Sequence, residues 1–402
     1  MSVNYGNFTK DTYINKRTRE QLEKYKKGFD RTTVDFVFPY TSMPIDIENI
    51  VWSELKGVEY AQWGSSSVFL CGFPQNQACV IKGISNTVQE LFTSLIHTIM
   101  NVHVHKMKVI QHTLPEFKKV IRALEKVSIF DKYLENCIYK ELDRPFFLVQ
   151  DYIPSIGLLQ MGKNRAEACF GVDDEFGYRR LREIGEIIAV DILLNNSSRV
   201  PVLWNTEGNA NNFIIAVDGV NITSELLLDA EYPVKMTHIY ALDSECYCLN
   251  KMDENSEKVY NQYMERVERF VRGTVRDLEE ALQQRTLAGM TLPTMEVAME
   301  FFYKHCRVEL NNQQLFQVLK GVMGTFREIA GMEIEEIEHI YRDVKFKIDS
   351  DWMDVWANGI AAIRPDFIID VKYSIQKVVE ANLSSFEWVY RMYKIDDSPL
   401  YF

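Results

Sequence analysis

The hydrophobic pattern of the chain changes period in a fixed order, and that order limits the folds open to it. Residues 46–83 carry three strand-like stretches, ENIVWSELKGVEYAQWG, SSSVFLCGF and ACVIKG. The turn-prone PQNQ separates the last two, which predicts an antiparallel sheet built from hairpins. Residues 86–103 then place Val88, Leu91, Leu95, Ile96 and Ile99 at helical spacing, with Asn86 or Thr87 as a cap. KMKVIQHT reads as a strand, PEFKKVIRALEKV as a helix and PFFLVQDYIP as an apolar strand. GYRRLREIGEIIAVDILL, residues 177–194, is amphipathic, with Leu181, Ile184, Ile187, Ile188 and Ile192 towards one side. NNFIIAVDGVNITSELLLDAE gives two or three short strands around the tight-turn pair Asp218-Gly219. Beyond about residue 255 the pattern is helical almost to the end. The expected class is therefore α+β: a small antiparallel-sheet lobe over 46–153, then a larger, mainly helical lobe over 154–402. Residues 1–45 read as a polar N-terminal extension with a short helix in TREQLEKYKKGF.

A chain of 402 residues, 47% of them apolar, has the core-forming material for two such lobes. Acidic residues outnumber basic ones, 57 to 45, which argues against broad binding of nucleic acid or of anionic membranes. Seven cysteines show no C-x-x-C or His/Cys zinc spacing, and Cys246 and Cys248 stand one residue apart, so reduced thiols are expected. No signal-peptide core and no run approaching ~18 apolar residues is present, so a cytoplasmic location without a transmembrane segment is expected. His97, His103 and His105 read as capping or solvated residues rather than metal ligands.

A sheet lobe followed by a helical lobe is the two-lobe layout of a protein-kinase-like fold, and phosphoryl transfer needs few but strictly placed parts. Gly64, Ser65, Ser66 and Ser67 lie between two expected strands, where small residues let amides and hydroxyls approach phosphates; a plain hairpin turn is the competing reading. Lys82 ends the apolar strand ACVIK, where a lone charge calls for an anionic partner unless it sits on a water-facing edge. Glu90, eight residues on, is placed to pair with that lysine. The run NNSSRVPVLWNTEGNANN, residues 195–212, concentrates amides and hydroxyls just after an apolar helix. Asn212 opens the strand FIIAV and Asp229 follows ELLL, a hard-oxygen pair of the kind that Mg²⁺ prefers. Asn209 and Gly208 shape the loop, and Arg199 ties it down or approaches a phosphate; a surface turn rich in asparagine is the alternative.

WGSSSVFLC, VIKG followed by QELFTS, DILLNNSSRVPVLWNTEGNANNFII and LLLDAE together resemble the catalytic domain of actin-fragmin kinase, an atypical protein kinase of slime moulds and related amoebae. The third segment is the specific one, and its loop is also similar to that of type II phosphatidylinositol 4-kinases. The resemblance implies ATP and Mg²⁺ as cofactors, Lys82 on the phosphates with Glu90 as its partner, Gln150, Asp151 and Tyr152 near adenine, and Asn212 and Asp229 on metal. It implies a protein serine or threonine hydroxyl as acceptor, on actin, an actin-fragmin-type complex or another actin-associated protein. No kelch-type repeat follows, so a substrate-recruiting propeller is not expected in this chain.

One position departs from the pattern: where an aspartate is expected before the arginine, the chain has Ser198. Serine is no useful proton acceptor near neutral pH, and loss of a positioned base typically forfeits about 10²- to 10⁴-fold in rate. Asp191 and Glu207 are the nearby carboxylates, and Asp191 reads as ordering the loop backbone rather than acting on substrate. A pseudokinase scaffold that binds nucleotide or a partner, and a lipid kinase, are the alternatives to a protein kinase.

Overall fold

Residues 66–82 carry two apolar runs, VFLCGF and ACVIK, and the pleat of a strand sends successive side chains to opposite faces. In the computed structural model, which describes residues 38–63, 66–83, 86–142, 146–218, 235–284, 291–348 and 353–395, these residues form β3 (Ser66–Phe73) and β4 (Gln77–Lys82). Phe69, Cys71, Phe73, Cys79 and Ile81 join one core with α2 (Pro115–Ser128) and α3 (Lys132–Leu142). Val68, Leu70, Ala78 and Val80 face the other way, against Phe38 and Tyr152. The sheet is completed by β2 (Gly57–Trp63), β5 (Met107–Gln111) and β6 (Phe146–Asp151) in the order β2-β3-β4-β6-β5, all neighbours antiparallel. A two-residue strand, β1 (Met43–Pro44), adds in parallel at Gln77–Ala78, and Phe38 is fully buried. The last residues of the stretch read as an extension are thus built into the sheet unit. The helix expected in TREQLEKYKKGF lies outside the described residues.

The chain divides into two compact units, the sheet unit ending at Ile153 and the second comprising Val88–Val104, Pro154–Asp349 and Met353–Phe402. In the second, β7 (Ser155–Gly157), β8 (Phe213–Asp218) and β9 (Lys235–Ala241) form a small antiparallel sheet in sequence order. Its helices are α1 (Thr87–Ile99), α4 (Gly162–Phe170), α5 (Glu175–Leu194), α6 (Glu254–Gln284), α7 (Glu296–Cys306) and α8 (Asn312–Gly331). After them come α9 (Ile334–Lys345), α10 (Met353–Ala361), α11 (Pro365–Ala381) and α12 (Leu383–Ile395). None of the described helices is long and apolar enough to cross a membrane.

The sequence reads α5 as one-sided, but it is buried almost all round. Its charged residues are satisfied internally: Arg180 Nε donates to the Cys169 carbonyl (2.9 Å), Arg182 to Gln317 (3.2 Å), and Glu183 accepts from the Ile239 N–H (2.8 Å). Helix α8 lies directly on it where two glycines face each other. A Cβ on Gly185 would stand 2.1 Å from the Val318 carbonyl oxygen, and one on Gly321 2.0 Å from that of Arg182. Only bare backbone permits that approach, and the closeness fixes the helix from which the polar loop springs.

Candidate functional site

The loop after α5 begins where Asn195 takes the left-handed conformation (φ 53°), which asparagine tolerates better than most residues and which ends the helix. Its side chain then works in both directions, donating to the Tyr247 carbonyl (2.8 Å) and accepting from the Trp204 indole (2.9 Å). Asn196 Nδ2 donates to Asp191 Oδ1 (2.9 Å), while its Oδ1 accepts from the backbone N–H (3.1 Å) and hydroxyl (2.7 Å) of Ser198. At the far end Asn209 caps a short turn, Ala210–Asn212, and donates to Asn212 Oδ1 (3.2 Å). Asn212 Nδ2 reaches back to the Ser198 carbonyl (3.1 Å). Asn195, Asn196, Asn209 and Asn212 each close a different backbone or side-chain gap, whereas Asn205 and Asn211 are exposed.

Arg199 is the hub. It is fully buried, and its guanidinium forms a two-pronged pair with Asp191, through Nε to Oδ2 (2.9 Å) and through a second contact to Oδ1. It also donates to the Leu242 carbonyl (2.7 Å) and the Ser244 hydroxyl (3.1 Å), and approaches His97 Nε2 (3.3 Å). The Leu242 N–H in turn donates to the Asn212 carbonyl (3.0 Å), so the end of β9 and the mouth of β8 are fastened through the same arginine. Gly208 lets the loop close over it: φ is +68°, and a Cβ there would stand 2.0 Å from the Arg199 carbonyl oxygen. Burial pushes the Asp191 carboxyl up, while Arg199 and Asn196 pull it down. Both of its oxygens are engaged by Arg199 and Asn196 within the loop. Glu207 is exposed and pairs with Lys304 (3.0 Å).

His97 was expected to cap or meet water; instead it is fully buried on α1. Its Nδ1 lies 2.7 Å from the Thr93 carbonyl, which can only accept, so Nδ1 carries the proton and Nε2 offers its lone pair to Arg199. Burial first, then the neighbouring arginine, holds the ring neutral, with its pKa pushed down to about 3. The missed signal is the polar stripe Glu90, Thr93, His97 on a helix face: all three are buried, whereas Ile99, assigned to the apolar face, is exposed. Because the unfolded ring keeps its ordinary pKa near 6.5, the unfolded chain binds the extra proton between pH 3 and 6.5, and stability falls as pH drops through that window. The loss attributable to this group between pH 6.5 and 4.5 is expected to be about 2 kcal/mol, at roughly 1.4 kcal/mol per pH unit at most. Denaturant unfolding at the two pH values checks it, and His97→Asn should flatten the dependence. A variant with the same pH slope as wild type would exclude His97 as its source.

In the sheet unit Lys82 is buried and pairs across the strands with Val68 and Leu148, while Gln150 pairs with Val80. Cross-strand partners share a face, so Lys82 and Gln150 lie on the same side of the sheet. Asp151 and Tyr152 spend their side chains on the unit's own frame: Asp151 Oδ1 accepts from the Lys106 N–H (2.8 Å) and His105 Nδ1 (3.3 Å), and the Tyr152 hydroxyl donates to the Tyr40 carbonyl (2.7 Å). Ser66 and Ser67 open β3 in register with Trp63 and Gln62; Gly64, Ser65 and Asp229 lie outside the described residues. Glu90 is buried in the first turn of α1, in the second unit. The described parts of the site are thus two groups, Lys82 with Gln150 in one unit and Asp191, Ser198, Arg199 and Asn212 in the other.

The family model described as "Actin-fragmin kinase, catalytic" matches residues 34–326. Two Dictyostelium discoideum proteins that carry the name "putative actin-fragmin kinase" are similar along most of their length. One is 24% identical over 340 residues, covering 81% of this chain and 73% of that protein. The other is 23% identical over 366 residues, covering 87% and 79%.

Proposed function

The chain belongs to the actin-fragmin kinase family, and from that premise we propose that it is an atypical protein kinase using ATP and Mg²⁺ to phosphorylate a serine or threonine hydroxyl on actin or an actin-associated protein. The observation that carries this reading is the Arg199 clamp. A fully buried arginine, a two-pronged carboxylate and a chain of asparagines are an extensive apparatus for holding the Ser198 carbonyl and the Asn212 side chain in one arrangement. Phosphoryl transfer depends on such fixed placement more than on covalent chemistry.

Asn212 suits the metal role in its donor chemistry. Its carboxamide oxygen is a hard ligand, oriented by the bond from Asn209, with a second lone pair left over. Asp229 is its proposed partner. Bound there, Mg²⁺ would neutralise charge on the phosphates. Lys82, buried at the end of β4, is proposed to bind those phosphates, with Gln150 on the same face towards the base. Ser198 donates its hydroxyl to Asn196 and Asp191 is consumed by Arg199, so no described carboxylate in this network is free to take the acceptor's proton. The proposed enzyme therefore works by positioning and charge neutralisation, and slowly. The same observation favours a second reading, a nucleotide-binding pseudokinase.

Thermal unfolding with and without Mg²⁺-ATP, for wild type, Lys82→Ala and Asp229→Ala, separates the two when run beside transfer of the γ-phosphoryl group to the chain itself and to actin. At a hundredfold excess of nucleotide over its Kd the wild type should gain about 2.7 kcal/mol, a gain missing from both variants. Transfer above background identifies the kinase, and a gain without transfer the pseudokinase. No gain in the wild type would sink both.

A further inference from the structure

A second polar cluster lies away from the loop, within the same unit. His103 follows α1, Glu183 sits midway along α5 and His238 lies on β9, and one ligand atom from each lies within 4.8 Å of the other two. We propose that His103, Glu183 and His238 bind a divalent transition-metal ion of the zinc class.

The donor set is two imidazoles and one carboxylate, which suits zinc and its neighbours and is a poor match to Mg²⁺. Glu183 is preset for it: its Oε2 accepts from the Ile239 N–H (2.8 Å), which orients the carboxylate and leaves Oε1 towards both histidines. Oε1 is 2.6 Å from His238 Nδ1 and 3.9 Å from His103 Nε2. Around a tetrahedral ion with ligands at ~2.1 Å, donor atoms stand about 3.4 Å apart. Reaching that spacing asks the Glu183–His238 pair to open by about 0.8 Å and the Glu183–His103 pair to close by about 0.5 Å, changes on the scale of a ring rotation. Both imidazoles are accessible for entry, with His103 38% and His238 37% exposed, and their ring centroids lie 4.4 Å apart with the planes tilted at 49°. One charge opposes the ion: Arg179 Nε lies 3.8 Å from Glu183 Oε1, and the guanidinium also reaches the Thr237 carbonyl and the Phe176 ring. The arginine shares the Glu183 carboxylate and so weakens the site.

The position gives the ion a consequence. The Ala241 N–H donates to the His103 carbonyl (3.0 Å), and the next residue, Leu242, joins the Arg199 clamp. Metal at the triad would pin β9, α5 and the segment after α1 together, on the strand whose next residue, Leu242, bonds the Asn212 carbonyl.

The test is equilibrium dialysis of the full chain, stripped with chelator, against Zn²⁺ in the presence of excess Mg²⁺, which occupies hard-oxygen sites. Wild type should bind one equivalent and melt at a higher temperature with it. His103→Ala and His238→Ala should each lose at least about tenfold in affinity. Cys248→Ser should bind as wild type, since a soft site at Cys246 and Cys248, whose sulfurs lie 3.2 Å apart, is the competing explanation. Circular dichroism of the metal-free histidine variants should match wild type, because both side chains are more than a third exposed. Equal binding by wild type and the double histidine variant, or loss confined to Cys248→Ser, would overturn the proposal.

Discussion

Arg199→Met is expected to destabilise the protein by about 3–5 kcal/mol, a large share of the stability of an ordinary domain. The cost comes less from the bonds lost than from what stays behind. Asp191 is 1% exposed, and without the guanidinium its charge has only the Asn196 amide for company. The Leu242 carbonyl and the Ser244 hydroxyl also lose a donor in a place water does not reach freely. Lysine would not rescue the site, since one ammonium cannot serve two carboxylate oxygens, a carbonyl and a hydroxyl in four directions. Removing both charges tests the account: Asp191→Leu with Arg199→Met should be less destabilised than Arg199→Met alone, because no buried charge remains unpaired. Denaturant melts of the two single variants and the double variant complete the cycle. A double variant whose loss equals the sum of the singles would mean that the pair is not coupled and that the loop is held by its asparagines alone.

The same cycle marks the boundary between what was legible in the sequence and what was not. Strands β3 and β4 could be read because both faces of that sheet are apolar, which leaves continuous apolar runs on either side of a turn, and because the partners are close in sequence. The polar loop was visible as a concentration of amides, and Asn212 and Arg199 could be named within it. The clamp could not be read, because its partners are distant: His97 stands 102 residues before Arg199, and Ser244 45 after it. Charged positions along α5 misled for the same reason. Arg180, Arg182 and Glu183 look like a water-facing stripe until Cys169, Gln317 and Ile239 are seen to satisfy them. Helices α3 and α4 and strand β9 went unrecognised because they are short or interrupted by polar residues, and tertiary packing, not local pattern, holds them.

Ser198→Asp is expected to raise the rate of phosphoryl transfer about 100-fold while leaving ATP affinity within roughly threefold. A positioned base contributes about 10²- to 10⁴-fold, and the lower end applies because the transition state is loose and the acceptor's proton leaves late. The local structure can take the change. Position 198 is half-buried, and the two bonds that fix it in the loop are made by its backbone, the N–H to Asn196 and the carbonyl from Asn212. Only the hydroxyl's bond to Asn196 is given up, worth about 1 kcal/mol. Repulsion from the Asn196 oxygen then turns the new carboxylate away from Asn196, while Asp191 remains locked to Arg199 and does not compete. Ser198→Ala is the control, since it breaks the same bond and adds no base. Single-turnover transfer to actin with saturating ATP, for wild type and both variants, gives the answer directly. If Ser198→Asp transfers no faster than Ser198→Ala while both bind nucleotide, the missing carboxylate is not what limits this chain, and the pseudokinase reading gains over the slow kinase.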